Sequence, residues 1–246
     1  MDFEIKLHNQ RLRGIVGNEH ATDAVILAHG FSGNMHGPDG IFDLLSESLQ
    51  KEDFAVIRFA FRGTEPSDGE QKDTSLHTET EDLKAVIDWA ENKRGYSRIA
   101  VLGESFAGGV VANAYRDIVD AVVFWYPLFD FKDCSFREFL NDFNLDQIEK
   151  NGAITIDGFA VGRQMYEDIS TTVLYDRLTD IKAPALFLHG DADTDVPVQQ
   201  SEKGYDRAGG IKELGILEGA DHCFRFEQDA AVELTTEFLI TTLKEA

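Results

Sequence analysis

The spacing of apolar and polar positions changes along this 246-residue chain. Near the start the two kinds of residue alternate over 3–7 and 11–16, the period-two pattern of half-buried strands, which predicts an antiparallel hairpin at a sheet edge. Beyond it the runs become continuously apolar, at 24–28, 55–59, 99–102, 121–125 and 185–188, with a weaker one at 214–217. A strand with no polar side is buried on both faces, as in a parallel sheet, and parallel neighbours need crossover connections. Segments 41–50, 79–93, 106–117, 197–207 and 229–244 separate these runs and predict the crossover helices; in the second, Leu83, Val86, Ile87 and Ala90 share one stripe.

The alternation of strand and helix predicts an α/β fold: a mostly parallel, doubly wound sheet with helices on both faces. No internal repeat is found, which argues against a solenoid or propeller. One interval departs from the alternation. Residues 127–182 separate two strands by far more than a usual crossover and carry their own aromatics and turn signals, so they are read as an inserted cap on a core made of 1–126 and 183–246. Within the cap, 136–143 and 163–168 predict helices, and 153–156 followed by Gly158 predicts a short hairpin.

With 43% hydrophobic and 28% charged residues and only five prolines, the composition is that of a globular protein and excludes disordered or fibrous classes. The net charge of −22 disfavours nucleic acid and anionic membrane surfaces as partners and suits neutral small substrates better than anionic ones. No stretch approaches the roughly 18 apolar residues needed to span a bilayer, and the N-terminal MDFEIKLHNQ lacks an apolar signal core, so a soluble, cytoplasmic protein is expected. The two cysteines, Cys134 and Cys223, have no metal-ligand spacing and are expected to be free thiols. Neither a metal nor a cofactor is expected, and the sequence leaves homodimer formation open.

The chemistry gathers around residues 99–109, IAVLGESFAGG, where an apolar strand passes through Gly103 and Ser105 directly into a helix. A strand-to-helix turn of this kind forces the apical serine into a strained backbone, so the positions two residues to either side must be small. Gly103 and Ala107 meet that need. Serine is a poor nucleophile at neutral pH and requires a histidine base oriented by an acid, in the chain order serine, acid, histidine for such a sheet. The loop HGDADTDVP after the strand at 185–188 offers Asp191, Asp193 and Asp195, and EGADHCF after the next strand offers His222. Of seven histidines, His8, His20, His36 and His77 lack a strand-end setting, while His29 and His189 end strands and are read as loop supports. The oxyanion of an acyl-transfer intermediate needs two donors: the amide of Phe106, directly after the serine, and the amide of Phe31 in the glycine-rich turn AHGFSGN. That turn fits neither GxGxxG nor GxxxxGK[ST], which disfavours nucleotide binding.

Taken together, His29-Gly30-Phe31, Gly103 to Gly109, Gly190…Asp193…Val196-Pro197 and Asp221-His222 resemble the α/β-hydrolase superfamily in order and spacing. With the chain length, the HGFSGN segment, Arg62-Gly63…Ser67-Asp68-Gly69 and the inserted cap, they resemble in particular the bacterial cinnamoyl and feruloyl esterases. The resemblance, together with spacing, selects Asp193 as the acid. It implies a serine esterase for small carboxylic esters, of the hydroxycinnamate type, in which the cap covers the acyl group. Asp142, Gln164 and Tyr166 would then reach a phenolic hydroxyl while Phe136 and Phe159 stack on the ring. An aminopeptidase-like serine peptidase, a general carboxylesterase or monoacylglycerol lipase, and a non-catalytic binding protein on the same scaffold are the alternatives.

Overall fold

The structure is a computed structural model and describes residues 1–156 and 158–245. The predicted edge hairpin forms from β1 (Asp2–Leu7) and β2 (Gln10–Gly17). The continuous apolar runs become β3 (Asp23–Ala28), β4 (Phe54–Ala60), β5 (Arg98–Glu104) and β6 (Ala121–Trp125). A small separate hairpin follows, β7 (Ala153–Ile156) and β8 (Phe159–Gly162), and then β9 (Ala185–Gly190) and β10 (Lys212–Leu217). All but β7 and β8 join one eight-stranded sheet in the order β1-β2-β4-β3-β5-β6-β9-β10. β1 and β2 pair antiparallel, as do β2 and β4; every other neighbouring pair is parallel.

The crossover helices are α1 (Ile41–Lys51), α2 (Leu76–Trp89) and α3 (Phe106–Ala114), then α4 (Asp142–Asn151) and α5 (Arg163–Thr171) in the long insertion, and finally α6 (Gln199–Arg207) and α7 (Gln228–Leu243). Two apolar layers result. Leu83, Val86 and Ile87 of α2 and Val110 and Val111 of α3 bury one sheet face. Phe42, Leu45 and Leu49 of α1 and Phe238, Leu239 and Leu243 of α7 bury the other. Alternate residues of each central strand feed the two layers: Val101 of β5 joins the first and Leu102 the second, both essentially inaccessible.

Several element ends differ from those predicted, each for a local reason. Helix α2 starts three residues early because Ser75 Oγ accepts the Thr78 N–H at 3.0 Å while Thr78 Oγ1 accepts the Ser75 N–H at 2.9 Å, a reciprocal cap. Helix α3 stops at Ala114, where Tyr115 turns to extended backbone and its hydroxyl accepts the amides of Lys182 and Ala183, both at 3.1 Å. The helix predicted at 136–143 divides: a 3-10 turn covers Ser135–Phe139, and α4 begins only at Asp142, where the Asn141 side chain accepts the Asn144 N–H at 2.8 Å.

One buried side chain ties the first segment of the insertion to the core. Gln200 of α6 accepts the amides of Phe129 and Asp130 at 2.7 and 2.8 Å and donates to the carbonyls of Asp130 and Asp133 at 3.0 and 2.6 Å. Among the described residues no helix is long and apolar enough to cross a membrane. Because Leu102 fills a central strand between packed neighbours, Leu102→Ala is expected to cost about 2–5 kcal/mol. In urea unfolding this would appear as a lower midpoint at unchanged slope; a loss under about 1 kcal/mol would mean that this layer is not close-packed.

Candidate active site

Strand β5 delivers Ser105 at its C-terminal end, with φ 54° and ψ −117°, a conformation that a non-glycine residue adopts only under constraint. The constraint is visible in the hydrogen bonds. Ser105 N–H donates to Trp125 O, and Ser105 O accepts from Gly108 N and Leu128 N, each at 2.9 Å. Gly103 must lack a side chain because a Cβ there would lie 2.6 Å from Ala107 O, so strand and helix could not close on the turn.

Three side chains then hydrogen bond in series. Ser105 Oγ is 2.9 Å from His222 Nε2, and His222 Nδ1 is 2.7 Å from Asp193 Oδ2. Asp193 comes from the loop after β9 and His222 from the loop after β10, adjacent parallel strands whose C-terminal ends converge. Gly190 makes that convergence possible, since a Cβ there would collide with Ala220 O. Asp193 takes two further kinds of donor: Oδ2 lies 3.0 Å from His189 Nε2, and Oδ1 accepts the amides of Asp195 and Val196 at 2.8 and 2.9 Å. Its side chain is wholly covered. Burial by itself would raise the Asp193 carboxyl, but the hydrogen bonds from His189 and His222, the nearby imidazolium charge and the Val196 amide hold it well below the usual carboxylate range.

His222 responds in the opposite sense. Burial disfavours its charged form, yet the Asp193 hydrogen bond and charge, followed by the charges of Glu104 and Asp195, raise its pKa above the ordinary imidazole value. With Nδ1 facing a carboxylate, the proton of the neutral ring is assigned to Nδ1, which leaves Nε2 to accept from Ser105. His189 and His29 hold loops, as expected. His189 Nδ1 lies 2.7 Å from Ser201 Oγ, and Nε2 lies 2.9 Å from Val196 O as well as reaching Asp193. His29 is buried, which lowers its pKa to about 4; its Nδ1 is 2.9 Å from Gly30 O and its Nε2 accepts the Phe61 amide.

The amides of Phe31 and Phe106, the expected oxyanion donors, have no hydrogen-bond acceptor among the described residues. A cavity of about 480 Å³ opens at Ser105 and His222; apolar Phe31, Leu128, Phe136 and Val196 and polar Ser32, Asn34 and Asp39 are among the residues lining it. Asp193, Asp195 and His222 bring possible metal-ligand atoms within 4.8 Å of one another, but both Asp193 oxygens and both His222 nitrogens are taken by the hydrogen bonds above.

Of the five cap residues expected to meet substrate, only Phe136 lines this cavity. Phe159 is buried with its ring 4.9 Å from that of Phe31, and Phe136 packs edge-on to the same ring at 4.9 Å. Tyr166 Oη donates to Asn141 O at 3.1 Å, Gln164 Nε2 reaches Asp168 Oδ1 at 3.4 Å, and Asp142 lies exposed in the first turn of α4. These four secure the insertion or face solvent. Sequence reasoning passed over Glu104, Cys134 and Ser135 in the lining and Gln200 behind it. A buried polar residue inside a motif was the available signal for Glu104. Cys134 and Cys223 are free thiols, and burial pushes their pKa values up to about 11 and about 12.

A sequence profile of the alpha/beta hydrolase fold matches residues 23–127. The uncharacterized protein YfhR of Escherichia coli K12 is 25% identical over 234 residues, covering 92% of this chain and 72% of its own length. An uncharacterized 31.7 kDa protein of Escherichia coli is 35% identical over 92 residues, 37% of this chain and 31% of its own. Among solved structures, ferulic acid-bound Est1E of Butyrivibrio proteoclasticus superposes with a TM-score of 0.85 at 22% identity, covering 98% of this chain and 99% of that one. The esterase Pf2001 of Pyrococcus furiosus gives 0.77 at 22% identity, covering 98% and 92%. The chain has the α/β-hydrolase fold and resembles these esterases in it.

Because Asp193 raises the His222 pKa, the imidazole holds its proton to higher pH than a free side chain and releases it as pH rises through that raised value. In an NMR titration, with the resonance assigned by its loss in His222→Gln, the midpoint is expected above the ordinary value of about 6.5. Asp193→Asn is expected to bring it below the parent's. Equal midpoints in the two proteins would contradict the ion-pair geometry.

Proposed function

We propose that this chain is a serine hydrolase acting on small carboxylic esters, with hydroxycinnamate esters as its preferred class. The observation that carries the first part is the hydrogen-bonded series Ser105, His222, Asp193, opening onto a cavity beside two amides without acceptors. In such an arrangement His222 Nε2 takes the Ser105 proton as Oγ attacks the ester carbonyl carbon, and the displaced electron pair rests on the carbonyl oxygen. The Phe31 and Phe106 N–H groups donate to that oxyanion. When the intermediate collapses, the bond to the alcohol breaks and His222 returns the proton to the leaving oxygen. Water then gives a proton to His222 and attacks the acyl carbon; as that second intermediate collapses, the bond to Ser105 Oγ breaks, His222 returns the proton to Oγ and the acid leaves. Asp193 stays ionised throughout and fixes the imidazole tautomer.

The narrower acyl preference is supported by the aromatic lining from Phe31 and Phe136, which suits a planar arylpropenoyl group, and by likeness in fold to a protein solved with ferulic acid. Ser105→Ala is expected to lower kcat on a p-nitrophenyl ester by about 10⁴-fold or more and to abolish fluorophosphonate labelling; a variant as active as its parent would overturn the assignment. Across ethyl ferulate, methyl cinnamate and short aliphatic esters, kcat/KM is expected to be highest for the hydroxycinnamate. A reverse preference would make the protein a general carboxylesterase, and faster cleavage of aminoacyl amides than of any ester would make it a peptidase.

A further inference from the structure

One buried carboxyl group in the cavity has no part in the mechanism above. Glu104 precedes the serine, is 94% buried by its 6% exposure, and lines the same cavity as Ser105 and His222. Its Oε2 accepts the Gly30 N–H at 3.0 Å, across a sequence separation of 74 residues. Gly30 is directly followed by Phe31, so this bond holds the peptide that leads into the turn offering the Phe31 amide. Burial opposes the charged form of this carboxyl group, while the Gly30 N–H and, once protonated, the His222 ring favour it.

We propose that Glu104 is a positioning residue for the chemistry at Ser105: its carboxylate anchors the turn carrying the Phe31 donor and sets a second negative charge beside the imidazole of His222. The proposal rests on the serine-hydrolase reading. The groups facing Glu104 come from three elements: the Gly30 amide after β3, Tyr126 after β6, and His222 with Cys223 after β10. Tyr126 also packs its ring 4.7 Å from the His222 ring, and the Glu104 charge acts on both groups. On its other side His222 meets Asp193 and Asp195. Burial raises the Glu104 pKa, opposed by the Gly30 hydrogen bond and the His222 charge, and Glu104 in turn adds to the rise at His222.

During attack His222 becomes cationic, so a fixed charge beside it favours the transition state. An anchored Phe31 amide meets the oxyanion without reorganising. The two contributions separate in two variants. Glu104→Gln keeps an oxygen for the Gly30 N–H and removes the charge, whereas Glu104→Ala removes both. The His222 NMR midpoint is expected to fall by about half a pH unit or more in each variant, by the same amount in both. On an ester, kcat is expected to fall about 10-fold in Glu104→Gln and about 100-fold in Glu104→Ala, with KM changed less than about 3-fold. A residue serving only packing would give neither equal midpoint shifts nor rescue by glutamine. An unchanged midpoint in Glu104→Gln would overturn the charge effect, and equal kcat in the two variants would overturn the anchor. The titration is read without substrate, so a parent that cleaves no ester would refute the ester reading while the midpoints still decide the role of Glu104.

Discussion

The Asp193 carboxylate is the point on which the site depends. Its two oxygens face four donors: the rings of His222 and His189 and the amides of Asp195 and Val196. The donors come from three places, the end of β9, the turn before α6 and the loop after β10. A buried carboxylate left short of donors would be costly, so its satisfaction fixes the relative placement of all three segments. The same bonds orient the imidazole toward Ser105. Stability of the loops and readiness of the base are therefore the same interaction.

This arrangement needs a rigid platform, and the parallel sheet supplies it. Strands β3, β5, β9 and β10 all end on one edge, so the Phe31 turn, Ser105, Asp193 and His222 converge without any of them lying close in sequence. The unfavourable φ of Ser105 persists because strand and helix on either side of it are packed on both faces. The insertion joins this platform at several places: Gln200 holds its first segment, Ser135 N–H donates to Asp195 O at 2.8 Å, and Phe136 and Phe159 close on Phe31. The ring of Phe31 thus touches the insertion while its amide stays without an acceptor, so packing of the insertion and geometry of the oxyanion turn are physically linked.

What was legible in the sequence follows from the range of the forces involved. Continuous apolar runs and helical stripes are repeated over many residues, and they located the strands and the core helices. Ser105, Asp193 and His222 could be read because topology ties each to a strand end in a set order. The insertion was harder. Its helices are short and their ends depend on single caps such as Asn141, so the helix expected at 136–143 divides into a 3-10 turn and the start of α4 at Asp142. The resemblance implies that Asp142, Gln164 and Tyr166 reach a phenol, whereas Gln164 and Tyr166 bond within the insertion and Asp142 is exposed, placements that only three-dimensional contact reveals. Glu104 and Gln200 were missed for the same reason: both bond to backbone about 70 residues away.

The most direct measurement of the central claim is the mass of the enzyme during turnover. Rapid acid quenching with a slowly deacylated ester, followed by peptide mass spectrometry, is predicted to show the acyl group attached to the peptide containing Ser105, with the adduct lost as turnover ends. Turnover with no adduct on that peptide, or with the acyl group on Cys223, would contradict the account.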